Sequence, residues 1–442
     1  MRGRAVILAV AIAMDPLGAR AADLVVWWEK GLYPREDDAV REIVAAFEQA
    51  SGKKVELVFP PITEVLDQTQ AALEAGQPPD FLFGPVVSTA FDQWAYEDRL
   101  VDLTDAVGPL VSLFDADTLA GATLLNGRTG KRALYALPMG RSTNHIHVWR
   151  SLLERAGFTL ADVPTQWAPF WSFWCDRVQP AVRKALGRDD IWGVGLAMSV
   201  EAVGDTWVEF TQFQYAYGAY WETADGQILV DDPAVRAKLV NALADYTAIY
   251  RKGCAPPDAV RWDNAGNNKA FLAQSVVMTA NETLSIMNAV RESRPDDYRV
   301  NAATIGWPKD VYDQPLAIMG DVYRGAVFRS DRPAAPGSDF VRFLVEGGWL
   351  AHFIDFAGDR WLPPMTKLLD QPFWLDPGDP HRMASAIQAL TQPHHFDVGT
   401  ASHKVFRQLI WQKAVHRVAA EGITPETAVD EAIVWIKEIL KE

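Results

Sequence analysis

Two short stretches set a tryptophan beside a carboxylate and an amine or amide: Trp28-Glu29-Lys30 and Trp262-Asp263-Asn264. An indole offers a large apolar area with an electron-rich face, so it stacks on the C–H face of a polyol. Neighbouring carboxylates and amides accept and donate paired hydrogen bonds to vicinal hydroxyls. Asn144, Asn281, Glu282, Asp321 and Tyr323 add polar groups, Phe83 and Trp207 add rings, and Arg141 adds a cation. A tryptophan is more often buried core than ligand platform. Trp27, inside an apolar run, is read as core. Trp28 and Trp262, beside convergent polar groups, are read as ligand contacts. Trp171 and Trp174 suit a core as well as a site, and Trp207 suits either. For Asn281 and Glu282 the competing role is capping a following helix.

Catalytic patterns are missing. A glycosidase needs two carboxylates about 5 to 10 Å apart. Glu29, Asp80, Asp263, Glu282 and Asp321 supply carboxylates at no spacing that demands such a pair. No Gly-x-Ser-x-Gly turn, Gly-x-x-x-x-Gly-Lys loop or His-Glu-x-x-His helix occurs. His145-x-His147, His394-His395 and His403 lack partners at metal-ligand spacing, so surface or hydrogen-bonding histidine is expected and no metal or cofactor. Cys175 and Cys254 are the two cysteines. They pair or stay as buried thiols, and spacing alone leaves both open.

The elements that must hold these groups are legible. Leu24 to Trp28 is apolar throughout, as a strand buried on both faces is. Val40, Ile43, Val44 and Phe47 give a helix one apolar face, ended by Ser51-Gly52. A strand over Val55 to Phe59, a helix over Val65 to Leu73 and a strand over Asp80 to Gly84 follow. That alternation is the grammar of a parallel sheet covered by helices. Asp232-Pro233 starts a helix with apolar Val235, Leu239, Leu243 and Tyr246. Val276 to Thr279 returns to strand, and Thr424-Pro425 opens a last helix whose apolar stripe docks on a core.

The chain length suits two or three domains, and 49% apolar with 22% charged residues is a globular composition. The net charge of −15 disfavours nucleic acid and anionic membrane surfaces as partners. Arg2 and Arg4, the apolar run Ala5 to Met14 and Ala19-Arg20-Ala21 form a signal-peptide layout over residues 1–21, which implies secretion. No later segment has the length and apolarity of a membrane span.

Several ordered stretches resemble one family. These are Leu24-Val-Val-Trp-Trp-Glu29, Phe47-Glu-Gln-Ala-Ser-Gly-Lys-Lys-Val55, Pro79-Asp80-Phe81, Tyr135-Ala-Leu-Pro138 with Val148 to Gly157, and Ala270-Phe271 to Asn281. Together they resemble the sugar-binding proteins of bacterial ATP-driven importers, the group that includes maltodextrin-binding protein. The resemblance implies an α/β fold of two discontinuous lobes around a ligand cleft. The chain would cross near Pro138, Val276 and Ala326. One lobe is then 22–137 with 277–326, and the other 138–276 with 327–442. It further implies a periplasmic, non-enzymatic monomer that closes on a sugar and delivers it to an inner-membrane permease. Arg141 at a crossing, and Met319 to Gly325 in place of a glycine-rich turn, leave room for an anionic or amine-bearing solute. A secreted glycosidase is the rival of another class.

Overall fold

The computed structural model describes residues 22–88, 90–223, 226–376, 378–388, 391–393 and 401–441. The proposed leader and His394-His395 lie outside them. The strands are β1 (Leu24–Trp28), β2 (Val55–Val58), β3 (Phe81–Phe83), β4 (Thr123–Asn126), β5 (Lys131–Leu134), β6 (Leu137–Thr143), β7 (His145–Trp149), β8 (Trp192–Gly195), β9 (Val276–Asn281), β10 (Ala302–Ile305), β11 (Ile318–Val327) and β12 (Thr391–Pro393). The first sheet has the order β12-β11-β3-β1-β2, with β6 also paired to β11. The second has the order β10-β7-β9-β8, and β4 with β5 makes a separate ribbon.

The expected alternation is present: β1 pairs in parallel with β2 and β3. The sheet is nevertheless mixed, because β11 runs antiparallel to β3 and β6. The helix Pro34–Ser51 buries Val40, Ile43 and Phe47 and ends on Gly52, at φ 69°. Only glycine takes that left-handed conformation without strain. Asp232 accepts from the Ala234 N–H and caps the helix Pro233–Arg251. The helix Pro425–Ile439 docks Val429, Ala432 and Ile436 on the second core.

Two cores separate the lobes. One gathers Leu24, Val26, Phe81, Phe91, Ala326, Phe340 and Phe353. The other gathers Ile146, Trp174, Phe213, Tyr246, Met278, Ile286 and Trp411. The crossings therefore differ from those expected. The first lies at Asn144, the one residue between β6 and β7, and not at Pro138. The second lies between β10 and β11, because β9 and β10 both belong to the second sheet. The third follows Met365, since Phe340, Leu350, Phe353 and Trp361 pack in the first core. A strand apolar enough to be buried carries no mark of which sheet buries it, which is why Val276 and Ala326 misled.

Cys175 and Cys254 form a disulfide with Cα atoms 5.1 Å apart. It joins the π-helical turn Phe173–Val178 to the chain leaving the Pro233–Arg251 helix.

Candidate ligand-binding site

The lobes meet at the crossing strands. Asp321 lies opposite Ser142, and Tyr323 opposite Gly140, in the β6–β11 register. Residues two apart on a strand share a face, so Asp321 and Tyr323 point the same way. Ser142 Oγ donates to Glu282 Oε1 at 2.7 Å and accepts from the Asp321 N–H at 3.3 Å. The Tyr323 hydroxyl also bonds Glu282. Ser142 thus ties the end of β9 to both crossing strands. Burial pushes the Asp321 carboxyl up to about 7, with Arg324 opposing and Glu282 adding to the rise. Burial likewise raises Glu282, against the hydrogen bonds from Ser142 and Tyr323.

The second lobe carries the helix Val203–Ala216. Asn264 Oδ1 accepts from the Gly204 N–H at 2.9 Å, so a distant loop helps cap that helix. Asp205, in the first turn, is raised well above its usual range by burial and by the charges of Glu282 and Asp263. One turn later Glu209 Oε2 accepts from the Ala197 N–H at 2.8 Å and the Tyr246 hydroxyl at 2.7 Å. Glu222 hydrogen-bonds Ser402. The first lobe contributes Arg324, buried and paired to Asp92 at 2.8 Å, with further bonds to the Ser88 carbonyl at 2.6 Å and the Gly121 carbonyl at 2.9 Å.

A second polar group lies where β1 and β3 end. The Glu29 N–H donates to the Phe83 carbonyl at 2.8 Å, and its Oε2 accepts from the Val86 N–H at 3.2 Å. Burial raises its carboxyl to about 8, against the pull of Arg360. Glu29, Glu36, Asp37, Phe83, Arg360 and Trp361 line a narrow recess there. Arg360 pairs with buried Glu36 at 3.0 Å and stacks on the Trp361 ring at 3.9 Å.

The sequence-predicted residues divide between these groups and other tasks. Asp321, Tyr323 and Glu282 come together at the crossing. Trp28 is 2% exposed, packs against Phe83 at 4.9 Å and Phe353 at 4.8 Å, and lines the recess at Glu29. Trp27, read as core, is the half-buried one, because β1 alternates buried and half-buried residues. Phe83 is core, and Lys30 is exposed and held by Asp37. Asp263 is 58% exposed, paired to Lys269 at 2.9 Å and bonded to the Ala265 N–H in a turn. Asn281 does not cap the following helix; its amide donates to the Thr283 carbonyl at 2.7 Å. Asn144 is fully buried at the crossing, where its carbonyl accepts from Trp307 Nε1 at 3.1 Å. Arg141 carries a carboxylate partner, Asp115. Trp262 and Trp207 are buried in the second core, Trp262 against Gly266 and Trp207 edge-on to Phe406 at 5.3 Å.

Sequence reading passed over Asp92, Ser142, Asp205 and Arg324. The available signal was a charged residue inside an apolar strand, which Arg324 is. His145 and His147 are hydrogen-bonded as expected but fully buried. Among the described residues no three His, Cys, Asp or Glu side chains form a metal-binding group. Nor is any described helix long and apolar enough to cross a membrane.

The fold has close relatives in shape. Maltose-bound MalE3 of T. maritima superposes with TM-score 0.74 at 17% identity, over 94% of this chain and 99% of that one. A sugar transporter protein from Arthrobacter chlorophenolicus with bound laminaribiose gives 0.75 at 14% identity, over 95% and 100%. The GacH receptor of Streptomyces glaucescens, solved with and without acarbose, gives 0.74 at 16% identity, over 95% and 98%. No curated protein matches by sequence. Residues 42–379 match the family model for bacterial extracellular solute-binding proteins. The chain belongs to the bacterial extracellular solute-binding protein family, with the two-lobed α/β fold of periplasmic binding proteins.

Proposed function

We propose that this protein is the periplasmic substrate-binding component of an ABC importer, which captures a mono- or oligosaccharide by hinge closure and hands it to an inner-membrane permease. It acts by binding, without catalysis and without a cofactor. The observation that carries this reading is the cluster at the crossing, where Ser142, Glu282, Asp321 and Tyr323 from both lobes share hydrogen bonds. A ligand that bonds both lobes favours the closed state, which is how capture shifts the population. Carboxylates and a tyrosine hydroxyl are suited to vicinal hydroxyls. The structural neighbours that hold maltose, laminaribiose and acarbose support the ligand class. Arg141 argues against an anionic ligand, since Asp115 already neutralises it.

Calorimetric titration with glucose, maltose and laminaribiose tests the reading. Saturable binding to one of them is expected, weakened roughly tenfold, or about 1.4 kcal/mol, by Tyr323→Phe. Heat signals that are flat for every saccharide, with melting temperature equally unmoved, defeat it.

A further inference from the structure

Two consecutive residues of the first lobe hold left-handed backbone: Gly358 at φ 68° and Asp359 at φ 53°. Away from glycine that conformation is costly, and it persists where the surroundings over-determine it, often at clamps and switches. Here the second lobe supplies part of those surroundings. Arg291, on the helix Ser285–Ser293, donates to the Gly358 carbonyl at 2.9 Å, reaches Asp359 at 3.4 Å and lies over the Phe373 ring at 5.0 Å. Asn288, one turn earlier and fully buried, accepts from Arg291 at 3.2 Å and from Arg35 at 3.1 Å. Arg35 belongs to the first lobe's helix Pro34–Ser51 and also pairs with Glu292. A Cβ on Gly358 would overlap the Arg35 guanidinium and the Asn288 amide, so glycine is what lets these side chains meet over the turn. Just beyond it, the Arg360 carbonyl accepts from the Leu284 N–H at 2.7 Å, and Leu362 packs with Leu284 in a small apolar cluster.

The helix Pro34–Ser51 starts beyond the carboxyl end of β1, and the helix Ser285–Ser293 beyond the carboxyl end of β9. Tyr33 joins the two starts by donating to the Ser285 carbonyl at 3.0 Å. Ligands of open α/β sheets bind outside the carboxyl ends of strands, so contacts between these starts span the cleft side and part when it opens. We propose that the Gly358-Asp359 turn is an interlobe latch: its contacts hold the lobes closed through protein atoms alone and set ligand affinity without touching the ligand. This rests on the hinge-closure reading above. A ligand taken only by the closed form loses apparent affinity in proportion to the closed fraction, so residues remote from the ligand still tune it. Gly358, Asp359 and Asn288 are therefore positioning residues for capture.

Small-angle scattering of the purified, unliganded protein tests this on the parent, Gly358→Ala, Asn288→Ala and Gly52→Ala. The atoms that a Gly358 methyl meets are side-chain ends, so Arg35 and Asn288 are displaced while the cores stay as they are. Gly52, at φ 69° with nothing within 4 Å of its Cβ position, carries the same backbone cost and no latch. Expected is a larger radius of gyration for Gly358→Ala and Asn288→Ala than for the parent and Gly52→Ala. Calorimetry with maltose and laminaribiose should show affinity lower by roughly threefold or more in the same two variants. Should Gly358→Ala fail to fold, Asn288→Ala, which leaves the backbone of the turn untouched, decides alone. Equal radii throughout, or larger radii at unchanged affinity, overturn the latch. In that event, contraction of the parent on maltose or laminaribiose leaves hinge closure standing, and a parent that contracts on neither removes hinge closure as well. Larger radii with neither sugar bound by the parent support the latch and count against the carbohydrate reading.

Discussion

Glu29 and Asp321 are buried carboxyls raised to about 8 and about 7. Both therefore favour the folded state when protonated. Their folded pKa lies above the unfolded value, so their contribution is best below about pH 4 and worsens as pH rises through the interval up to the folded value. Glu29→Gln keeps the acceptor for the Val86 N–H and removes the charge. It should stabilise the protein by about 2 kcal/mol or more at the alkaline end, an advantage that vanishes near pH 4. Chemical unfolding at both pH values measures this, and an equal gain at both would remove the electrostatic explanation. Trp262 gives a steric prediction. A Cβ on Gly266 would sit 2.4 Å from Trp262 Cβ and Cγ. Gly266→Ala should displace the indole, cost on the order of 1–3 kcal/mol and alter tryptophan fluorescence. An unchanged spectrum and melting curve would show that this ring has room.

At the scale of elements, the crossing strands carry more than the site. Arg324 lies within β11, 3% exposed, with Asp92 as its partner. Removing one member of a buried pair strands the other, so Arg324→Ala should cost about 3–5 kcal/mol. Arg324→Met together with Asp92→Leu should recover much of it, which equilibrium unfolding of the three variants would show. On β7, next to the Asn144 crossing, the rings of His145 and His147 lie 4.6 Å apart. Burial lowers His145 to about 4 and holds His147 well below its usual value, with His145 and His381 nearby adding to the effect on His147. A histidine with a depressed folded pKa contributes its full stability above about pH 6.5 and loses it as pH falls through the folded value. His145→Asn keeps a donor for the Thr143 carbonyl, which His145 reaches at 2.5 Å. The stability gap between parent and variant should narrow on acidification from pH 6.5 toward pH 4. A gap that widens would assign the acid sensitivity elsewhere.

Across the whole molecule, the described lobes are clasped. Tyr33 donates to the Ser285 carbonyl at 3.0 Å, and the Leu284 N–H to the Arg360 carbonyl at 2.7 Å. Arg291 from the second lobe reaches the Gly358 carbonyl at 2.9 Å and Asp359 at 3.4 Å. These contacts join elements of different cores. Arg291→Ala should shift the lobes toward opening, with a larger radius of gyration in scattering and ligand affinity lower by the fraction of closed molecules lost. An unchanged radius and affinity would make the clasp incidental. The Cys175–Cys254 link closes 79 residues of the second lobe. Replacing both cysteines by serine should cost about 2–4 kcal/mol in that lobe and leave the first lobe's hydrogen exchange unaltered.

The sequence by itself determined the alternating strands and helices of the first lobe, the caps at Gly52 and Asp232, the family and the solute-binding class. Those features are written locally, in apolar period, turn residues and ordered segments. Glu282, Asp321 and Tyr323 were legible as polar groups at strand ends. Tertiary structure alone decided which sheet each apolar strand entered, and so moved the crossings to Asn144, the β10–β11 connection and the chain after Met365. It also decided which of two adjacent tryptophans is core. The physical reason is that burial and pairing are properties of neighbours distant in sequence. Phe353 closes over Trp28, Asp115 takes Arg141, and Ser142 of the first sheet meets Glu282 at the end of β9.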